Sequence, residues 1–290
     1  MSKIGLIVEG GGMKCAYSAG ILDAFLDDNI IFDYVLGVSA GSANAASFLA
    51  GQRGRNRRFY TDHIHEPGYF GLKSLLKTGN LFGLEYIYRT LSNSNGDDPL
   101  NFDAIQANPT EYKVVATDAV TGLPHAFDKS EMEKDNYIEI MASSALPAMC
   151  RPVNVRGHKY FDGGVSDSYP YNQAFSDGCD KLVIISSKNR DFVKKPEGHK
   201  KIYSIICRRY PKIVEDLNNR HIMYAQERKE IFEMEKQGKV FLFSPSEHLA
   251  MSTYAMDENA NQKLYELGLN DYANLKEELL KFMNKKIEIA

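Results

Sequence analysis

Apolar positions along this 290-residue chain fall either into short unbroken runs or into helical spacings, and glycines mark most of the boundaries between them. Lys3 to Glu9 is an apolar run of Ile, Leu and Val closed by Gly10, Gly11 and Gly12, which predicts a buried strand opening into a loop with exposed backbone. From about Lys14 to Asp28, Ala16, Ala19, Gly20, Leu22, Ala24 and Phe25 recur at helical spacing among Asp23, Asp27 and Asp28, so an amphipathic helix follows. Phe32 to Leu36 is a second apolar run, and the Ala-rich stretch ending at Ala50 favours a helix, with a sharp turn over Gly37 to Gly41 between them. Strand, helix, strand, helix in the first fifty residues argues for a parallel sheet with crossover helices.

The pattern is less regular from Gly51 to Gly83, where Leu72 to Leu76 and Gly83 to Tyr88 predict short helices that would serve as a lid or a wall for an acyl chain. Regularity returns with strands at Tyr112–Thr117 and His125–Phe127, then a helix from Ile138 to Ala145 closed by Pro147. Pro152–Val155 and Lys159–Phe161 form a hairpin around Arg156, Gly157 and His158, and this hairpin delivers Asp162, Gly163 and Gly164. A buried strand at Lys181–Ser186, a long charged helix from Pro211 to Gln237 and a last strand at Lys239–Phe243 complete the α/β pattern. The tail predicts two helices, Glu258–Leu267 and Asp271–Lys285. The expected architecture is a mostly parallel central sheet flanked by helices. Residues 1–190 are its catalytic core, 191–243 are further elements of the same domain, and 244–290 are a helical appendage.

Composition narrows the class. With 43% hydrophobic and 25% charged residues and a net charge of -3, the chain reads as an ordinary globular protein with no reason to bind nucleic acid. Cys15, Cys150, Cys179 and Cys207 are scattered without C-x-x-C spacing and read as free thiols of a reducing, cytoplasmic compartment. No apolar run reaches the ~18 residues of a spanning helix, so membrane contact is expected to be peripheral. The cluster Arg53, Arg55, Arg57 and Arg58 reads either as a solvated loop or as a contact for phosphate or a membrane surface.

Chemistry enters at Gly37-Val38-Ser39-Ala40-Gly41. In a G-x-S-x-G turn between strand and helix, small neighbours let the backbone fold back and thrust the serine oxygen out of the sheet, making Ser39 the candidate nucleophile. An ordinary serine in a glycine-rich turn shares those five letters; the flanking strand and helix patterns favour the nucleophile. A serine attacking an ester needs donors for the developing oxyanion and a base for its proton. The loop Gly10-Gly11-Gly12, continued by Met13 and Lys14 into a helix N-terminus, offers the donors. It lacks the spacing of a nucleotide-binding loop. For the base, Asp162 ends a strand and is followed by Gly163 and Gly164, which let another backbone approach; a plain hairpin turn is the competing reading. His248 follows the last strand but falls in the helical tail as read here, His63, His65, His199 and His221 lie among charged residues and are expected at the surface, and His125 and His158 lack a glycine turn beside them. No His/Cys cluster has metal-ligand spacing, so no metal or other cofactor is expected.

Gly10-Gly11-Gly12-Met13-Lys14, Gly37-Val38-Ser39-Ala40-Gly41 and Asp162-Gly163-Gly164, in this order, resemble the patatin-like phospholipase family. Ala142-Ser143-Ser144-Ala145-Leu146-Pro147 looks like a further block of that family, and the resemblance covers about residues 3 to 190. It implies a three-layer fold and a Ser-Asp dyad without catalytic histidine, with Ser39 as nucleophile, Asp162 as general base and the glycine-loop N–H groups as oxyanion hole. The implied activity is hydrolysis of lipid carboxylic esters, of phospholipase A or lysophospholipase type. An unperturbed aspartate, with a pKa of about 3.9, is a weak base, so geometry and the oxyanion hole would carry most of the acceleration. Cys15 departs from the family pattern, which has glycine there; ordinary helical angles would accommodate it, and a helix N-terminus can also make a thiol reactive. Leu146, Met149, Phe70 and Leu72 are candidate walls for the acyl chain. Two other readings stay open on sequence: a histidine-dependent esterase or thioesterase, and a non-catalytic protein that binds acyl chains or anionic lipid.

Overall fold

The computed structural model describes residues 2–248 and 256–284, apart from the side chains of Leu72, Lys73, Lys77 and Asn284. Among the described residues, eight strands form one sheet in the order β5-β6-β3-β2-β1-β7-β8, with β4 also paired to β3. They are β1 Ile4–Val8, β2 Tyr34–Val38, β3 Glu111–Asp118, β4 Pro124–Asp128, β5 Val153–Val155, β6 His158–Asp162, β7 Lys181–Ile185 and β8 Val240–Phe243. β3, β2, β1, β7 and β8 run parallel, whereas β4 and β6 pair antiparallel with β3, and β5 with β6. The sheet is therefore mixed with a parallel majority, as the alternation of periodicities requires.

Among the described residues, ten α-helices connect and flank it: α1 Ala16–Asp27, α2 Ala40–Leu49, α3 Arg55–Tyr60, α4 Leu72–Thr78, α5 Phe102–Ala107, α6 Ile138–Ser143, α7 Tyr171–Ser176, α8 Lys200–Ile206, α9 Pro211–Lys236 and α10 Glu258–Asn284. The central strands are buried on both faces, and successive side chains feed two separate cores. Leu6, Val8, Val35, Val183 and Ile185 face one way, into a core shared with Phe25 of α1, Ala46 of α2 and Leu279 of α10. Ile7, Leu36, Val38, Leu182 and Ile184 face the other, against Ala174 of α7 and Tyr224 and Ile231 of α9. This is the three-layer arrangement.

Three expectations change. The tail helix is continuous: Gly268 lies inside α10 and crosses Gly20 of α1, where a Cβ would stand 2.2 Å from the Tyr17 carbonyl oxygen. A glycine that interrupts the helical pattern in sequence is thus a crossing point, anchored by Tyr17 donating to Asp271 at 2.9 Å and Tyr265 to Asp23 at 2.8 Å. The region after α2 is not a solvated loop, because Arg55–Tyr60 is helical and Arg55 is buried. The apolar stretch expected as a helix over 83–88 appears as a π-helical turn at Tyr86–Leu91. No described helix is long and apolar enough to cross a membrane.

β1 lies between β2 and β7, so the chain leaves it in one direction across the sheet and later returns on the other side. The carboxyl end of β1 is consequently the switch point, where loops diverge and leave a crevice. The glycine loop follows β1, Ser39 follows β2 and Ser187 and Lys188 follow β7, all at this end.

Candidate active site

Ser39 stands between β2 and α2 with φ 53° and ψ -132°. A left-handed φ on a residue with a side chain is strained, and such strain persists where the surroundings over-determine it. Two close contacts impose it here. A Cβ on Gly37 would lie 2.4 Å from Ser42 Cα, and one on Gly41 would lie 2.3 Å from the Val8 carbonyl oxygen, so α2 can turn back over the sheet only if both are glycine. The Ser39 N–H donates to Ser143 Oγ at 2.7 Å, and Ser143 Oγ donates to the Val115 carbonyl at 2.5 Å. Ser143, in the Ala142–Pro147 block, is therefore the post under the elbow, a role that spacing alone did not reveal. Ser143→Ala leaves a buried N–H and a buried C=O unpaired, at a cost of about 1–3 kcal/mol. Urea denaturation is expected to show a lowered midpoint at unchanged slope.

Ser39 Oγ donates to Asp162 Oδ2 at 2.5 Å, and both residues are buried. Asp162 ends β6 opposite Ala116 of β3, and its other oxygen, Oδ1, accepts the Gly164 N–H at 2.8 Å. Gly163 is pressed onto the Val115 carbonyl, where a Cβ would come within 2.2 Å, so the Asp-Gly-Gly run is a packing requirement as well as a turn. Burial raises the Asp162 pKa above the ordinary carboxylate value; Arg220, the Ser39 hydroxyl, the Gly164 N–H and Lys194 pull it back only in part. The expectation of an unperturbed, weak base is corrected accordingly.

The glycine loop lies against the pair. A Cβ on Gly10 would come within 2.7 Å of Ser39 Cβ, and Gly12 has φ 56° as the chain enters a 3-10 turn at Gly12–Cys15. Among the described residues, the N–H groups of Gly10, Gly11 and Gly12 have no backbone acceptor, whereas that of Lys14 returns to the Gly11 carbonyl at 3.2 Å. The loop is held from behind by Glu9, which is buried: its carboxylate accepts Ser186 Oγ at 2.8 Å, the Ser187 N–H at 2.6 Å and Tyr224 OH at 2.8 Å. Ser187 Oγ in turn donates to the Gly10 carbonyl at 2.8 Å. Met13 is buried and Lys14 is half-buried, its pKa lowered by burial and by Lys188. Cys15 has ordinary helical angles, φ -71° and ψ 0°. Burial pushes its thiol pKa up to about 12, so it is a packed residue and not a reactive one.

Two cavities of opposite character meet at Ser39. One is apolar, walled by Ala43, Phe59, Tyr69, Phe82, Ile87 and Ile140. The other is polar and holds Asp162, Lys188, Lys194, Glu197 and Arg220 beside the glycine loop. Leu146 borders both. Of the other residues suggested for the acyl wall, Phe70 packs tilted against Phe82 with ring centroids 4.9 Å apart, Met149 lines a separate depression, and the Leu72 side chain lies outside the described residues.

The arginine cluster does not act together. Arg55 and Arg58 converge on Asp98, Arg53 pairs with Asp27 at 2.5 Å, and Arg57 reaches Gln262 at 3.4 Å. His63 also joins Asp98, at 3.2 Å, and is largely buried, contrary to the surface position expected of it. His248 follows β8 in irregular chain, not in a helix, and meets Asp191 at 2.9 Å. No histidine lines either cavity around Ser39. Among the described residues, no group of three or more His, Cys, Asp or Glu is gathered as a metal site.

Comparison with known proteins adds four findings. A family model described as patatin-like phospholipase matches residues 6–175, and a model of a domain of unknown function matches residues 210–284. The uncharacterized protein YjjU of Escherichia coli strain K12 is 29% identical over 203 residues, 69% of this chain and 56% of that protein. The chain thus spans little more than half the length of this curated relative. The crystal structure of VipD from Legionella pneumophila superposes with a TM-score of 0.48 at 12% identity, covering 96% of this chain and 67% of that one.

Proposed function

The chain belongs to the patatin-like phospholipase family, whose domain is that of a lipid acyl hydrolase, and on that premise we propose that it cleaves carboxylic esters of lipids, as a phospholipase A or lysophospholipase, through Ser39 and Asp162. The observation that carries the reading is the 2.5 Å hydrogen bond from Ser39 Oγ to Asp162 Oδ2 at the junction of an apolar and a polar cavity. The acyl chain lies in the apolar cavity and the polar leaving group in the other.

Asp162 takes the Ser39 proton as Oγ attacks the ester carbonyl. The tetrahedral oxyanion is stabilised by N–H groups of the glycine loop, which are fixed in place before the reaction and need no reorganisation. Collapse returns the proton from Asp162 to the leaving alcohol and leaves an acyl-Ser39 ester. Water then attacks this ester, giving its proton to Asp162, and collapse releases the fatty acid as Asp162 returns that proton to Ser39 Oγ. Burial raises the Asp162 pKa, which makes its carboxylate a stronger proton acceptor than that of a free aspartate. A histidine-dependent reading has no support from the geometry, since no histidine borders the Ser39 cavities.

A fluorophosphonate probe tests the nucleophile. The wild-type protein is expected to label and to turn over a nitrophenyl ester, and Ser39→Ala to lose both while keeping its thermal transition. A labelled Ser39→Ala variant, or a wild type inert to probe and esters alike, would sink the assignment.

A further inference from the structure

Helix α8 is amphipathic in an unusual sense, because its apolar residues lie on both faces. Tyr203 and Cys207 are buried, with Tyr203 OH donating to Asn218 of α9 at 2.9 Å, and this side fixes the helix to the body of the protein. The opposite side presents Ile202, Ile205 and Ile206, which are 54%, 66% and 55% exposed. Single exposed aliphatic residues need no explanation, but three on one helical turn do.

A second apolar projection stands next to it. Leu75 and Leu76 of α4 are 39% and 87% exposed, and Leu75 shares a shallow depression with Ile206, Cys207 and Tyr210, floored by Ala148 and Met149. The two helices, far apart in sequence, thus form one apolar surface. Its edge is cationic. Lys200, Lys201, Arg208 and Arg209 are all exposed, and no acidic residue occurs between Glu197 and Glu215. None of the four pairs with a carboxylate of the described residues; Lys212, at the far end, is the one that does, with Glu215 at 2.9 Å.

The surface adjoins the catalytic crevice on two sides. Glu197, which lines the polar cavity together with Lys194, leads within three residues into α8. Leu146, which borders both cavities, is followed directly by the 148–152 strip that floors the depression, and Leu81 beyond α4 is bonded to that strip through the Met149 carbonyl at 2.8 Å.

We propose that α8 and α4 form the face by which this protein docks on an anionic lipid bilayer. Ile202, Ile205, Ile206 and Leu76 enter the headgroup boundary while Lys200, Lys201, Arg208 and Arg209 meet the lipid phosphates. An apolar stripe bordered by unpaired cations suits such a surface: the aliphatic residues gain by leaving water and the cations by approaching negative charge. Apolar protein partners would match the stripe but leave the cations unanswered. The inference rests on the lipid-ester reading for its purpose, and its test is separable from it.

The full chain is sedimented with vesicles of pure phosphatidylcholine and with vesicles containing phosphatidylglycerol in equal part. Wild type is expected to favour the anionic vesicles and to be released by raised salt. Ile202→Ser/Ile205→Ser and Lys200→Glu/Lys201→Glu are each expected to bind at least about tenfold more weakly. Both variants should hydrolyse a soluble short-chain nitrophenyl ester within about twofold of wild type, since neither pair lines the catalytic cavities. Vesicle binding unchanged in both variants, or absent from wild type, overturns the proposal. So does a wild-type dimer in sedimentation velocity that becomes monomeric in Ile202→Ser/Ile205→Ser without loss of vesicle binding, which would assign the face to a second copy. Failure of the hydrolase reading looks different: no ester turnover in any form, with vesicle binding intact in wild type.

Discussion

Asp162→Asn is expected to lose ester turnover by on the order of 10³-fold, the scale of removing a positioned general base. The substitution preserves shape, and the asparagine oxygen can still accept the Gly164 N–H that Oδ1 now accepts at 2.8 Å. What disappears is the ability to take the Ser39 proton, and the amide would instead offer a donor to Ser39 Oγ. The pH profile separates this loss from a structural one. The base must be ionised, and burial raises its pKa, so wild-type activity should fall on the acid side with a midpoint above that of an ordinary aspartate. In Asp162→Asn the residual rate should lack that limb.

Stability should move the other way. A carboxyl whose folded pKa is raised stabilises the fold fully below its unfolded pKa and loses that contribution as pH rises through the folded value. Above the unfolded pKa the buried Asp162 is therefore a cost to the native state, and the neutral amide removes it. Asp162→Asn should melt at the same or a higher temperature than wild type at neutral pH and lose any advantage in acid. A variant that folds and retains full turnover would exclude Asp162 as the base; a variant that is inactive only because its transition has fallen would leave the catalytic role without support. The combination of collapsed turnover with undiminished melting temperature is the signature of a functional carboxylate held at some expense to the fold.

The parts of this site legible in sequence are those that local sterics dictate. Gly37 and Gly41 are required within five residues of each other by the turn that carries Ser39, and Gly163 by the approach of Val115 to the residue after Asp162. Such constraints leave fixed letters at fixed spacing. The three-layer sheet is legible for a similar reason, because strands buried on both faces must be continuously apolar and their connections must cross over. What is not legible depends on distant partners. Ser143 supports the elbow through one hydroxyl and looks like any serine in a helix. Gly268 costs helix propensity of about 1 kcal/mol, so the pattern reads as a break until Gly20 of α1 is seen packed against it. The walls of the apolar cavity come from α2, α3, the π-helical turn and α6, with no motif linking them. The arginine cluster fails for the same reason: its four members look equivalent along the chain, and the residue that distinguishes Arg55 and Arg58 from the other two is Asp98, some forty positions away.

Asp98→Ala is accordingly expected to be the most damaging single change for stability. Arg55 and Asp98 side chains are only 5% and 6% exposed, 3.5 Å apart, and Arg58 and His63 approach the same carboxylate at 2.7 Å and 3.2 Å. Burial alone would raise the Asp98 pKa, but hydrogen bonds from Arg58 and His63 and the charges of Arg55 and Arg58 outweigh it and hold the carboxyl well below the usual range. Arg55 shows the opposite balance: burial dominates and brings its pKa down to about 10, where it is still charged at neutral pH. Its remaining partners, Ser47 Oγ, Ser92 Oγ and the Asp98 carbonyl, supply hydrogen bonds but no charge. Removing the carboxylate leaves a buried guanidinium uncompensated, at a cost of about 3–5 kcal/mol. In a chain of this size that corresponds to a fall in melting temperature of about 10 °C. The pH dependence has a definite sign. A depressed carboxylate contributes stability above its unfolded pKa and loses it as pH falls through the folded value, so wild type and variant should differ most above about pH 4 and converge in stronger acid. Arg55 and Ser92 also line the apolar cavity, so loosening them should impair long acyl esters more than short ones. The decisive comparison is Arg55→Met/Asp98→Leu. If the damage comes from a stranded charge, removing both ions costs less than removing Asp98 alone. A double variant that is worse than Asp98→Ala would mean that the hydrogen bonds of Arg55 to α2 and to the chain after the π-helical turn, and not its charge balance, hold this wall of the cavity.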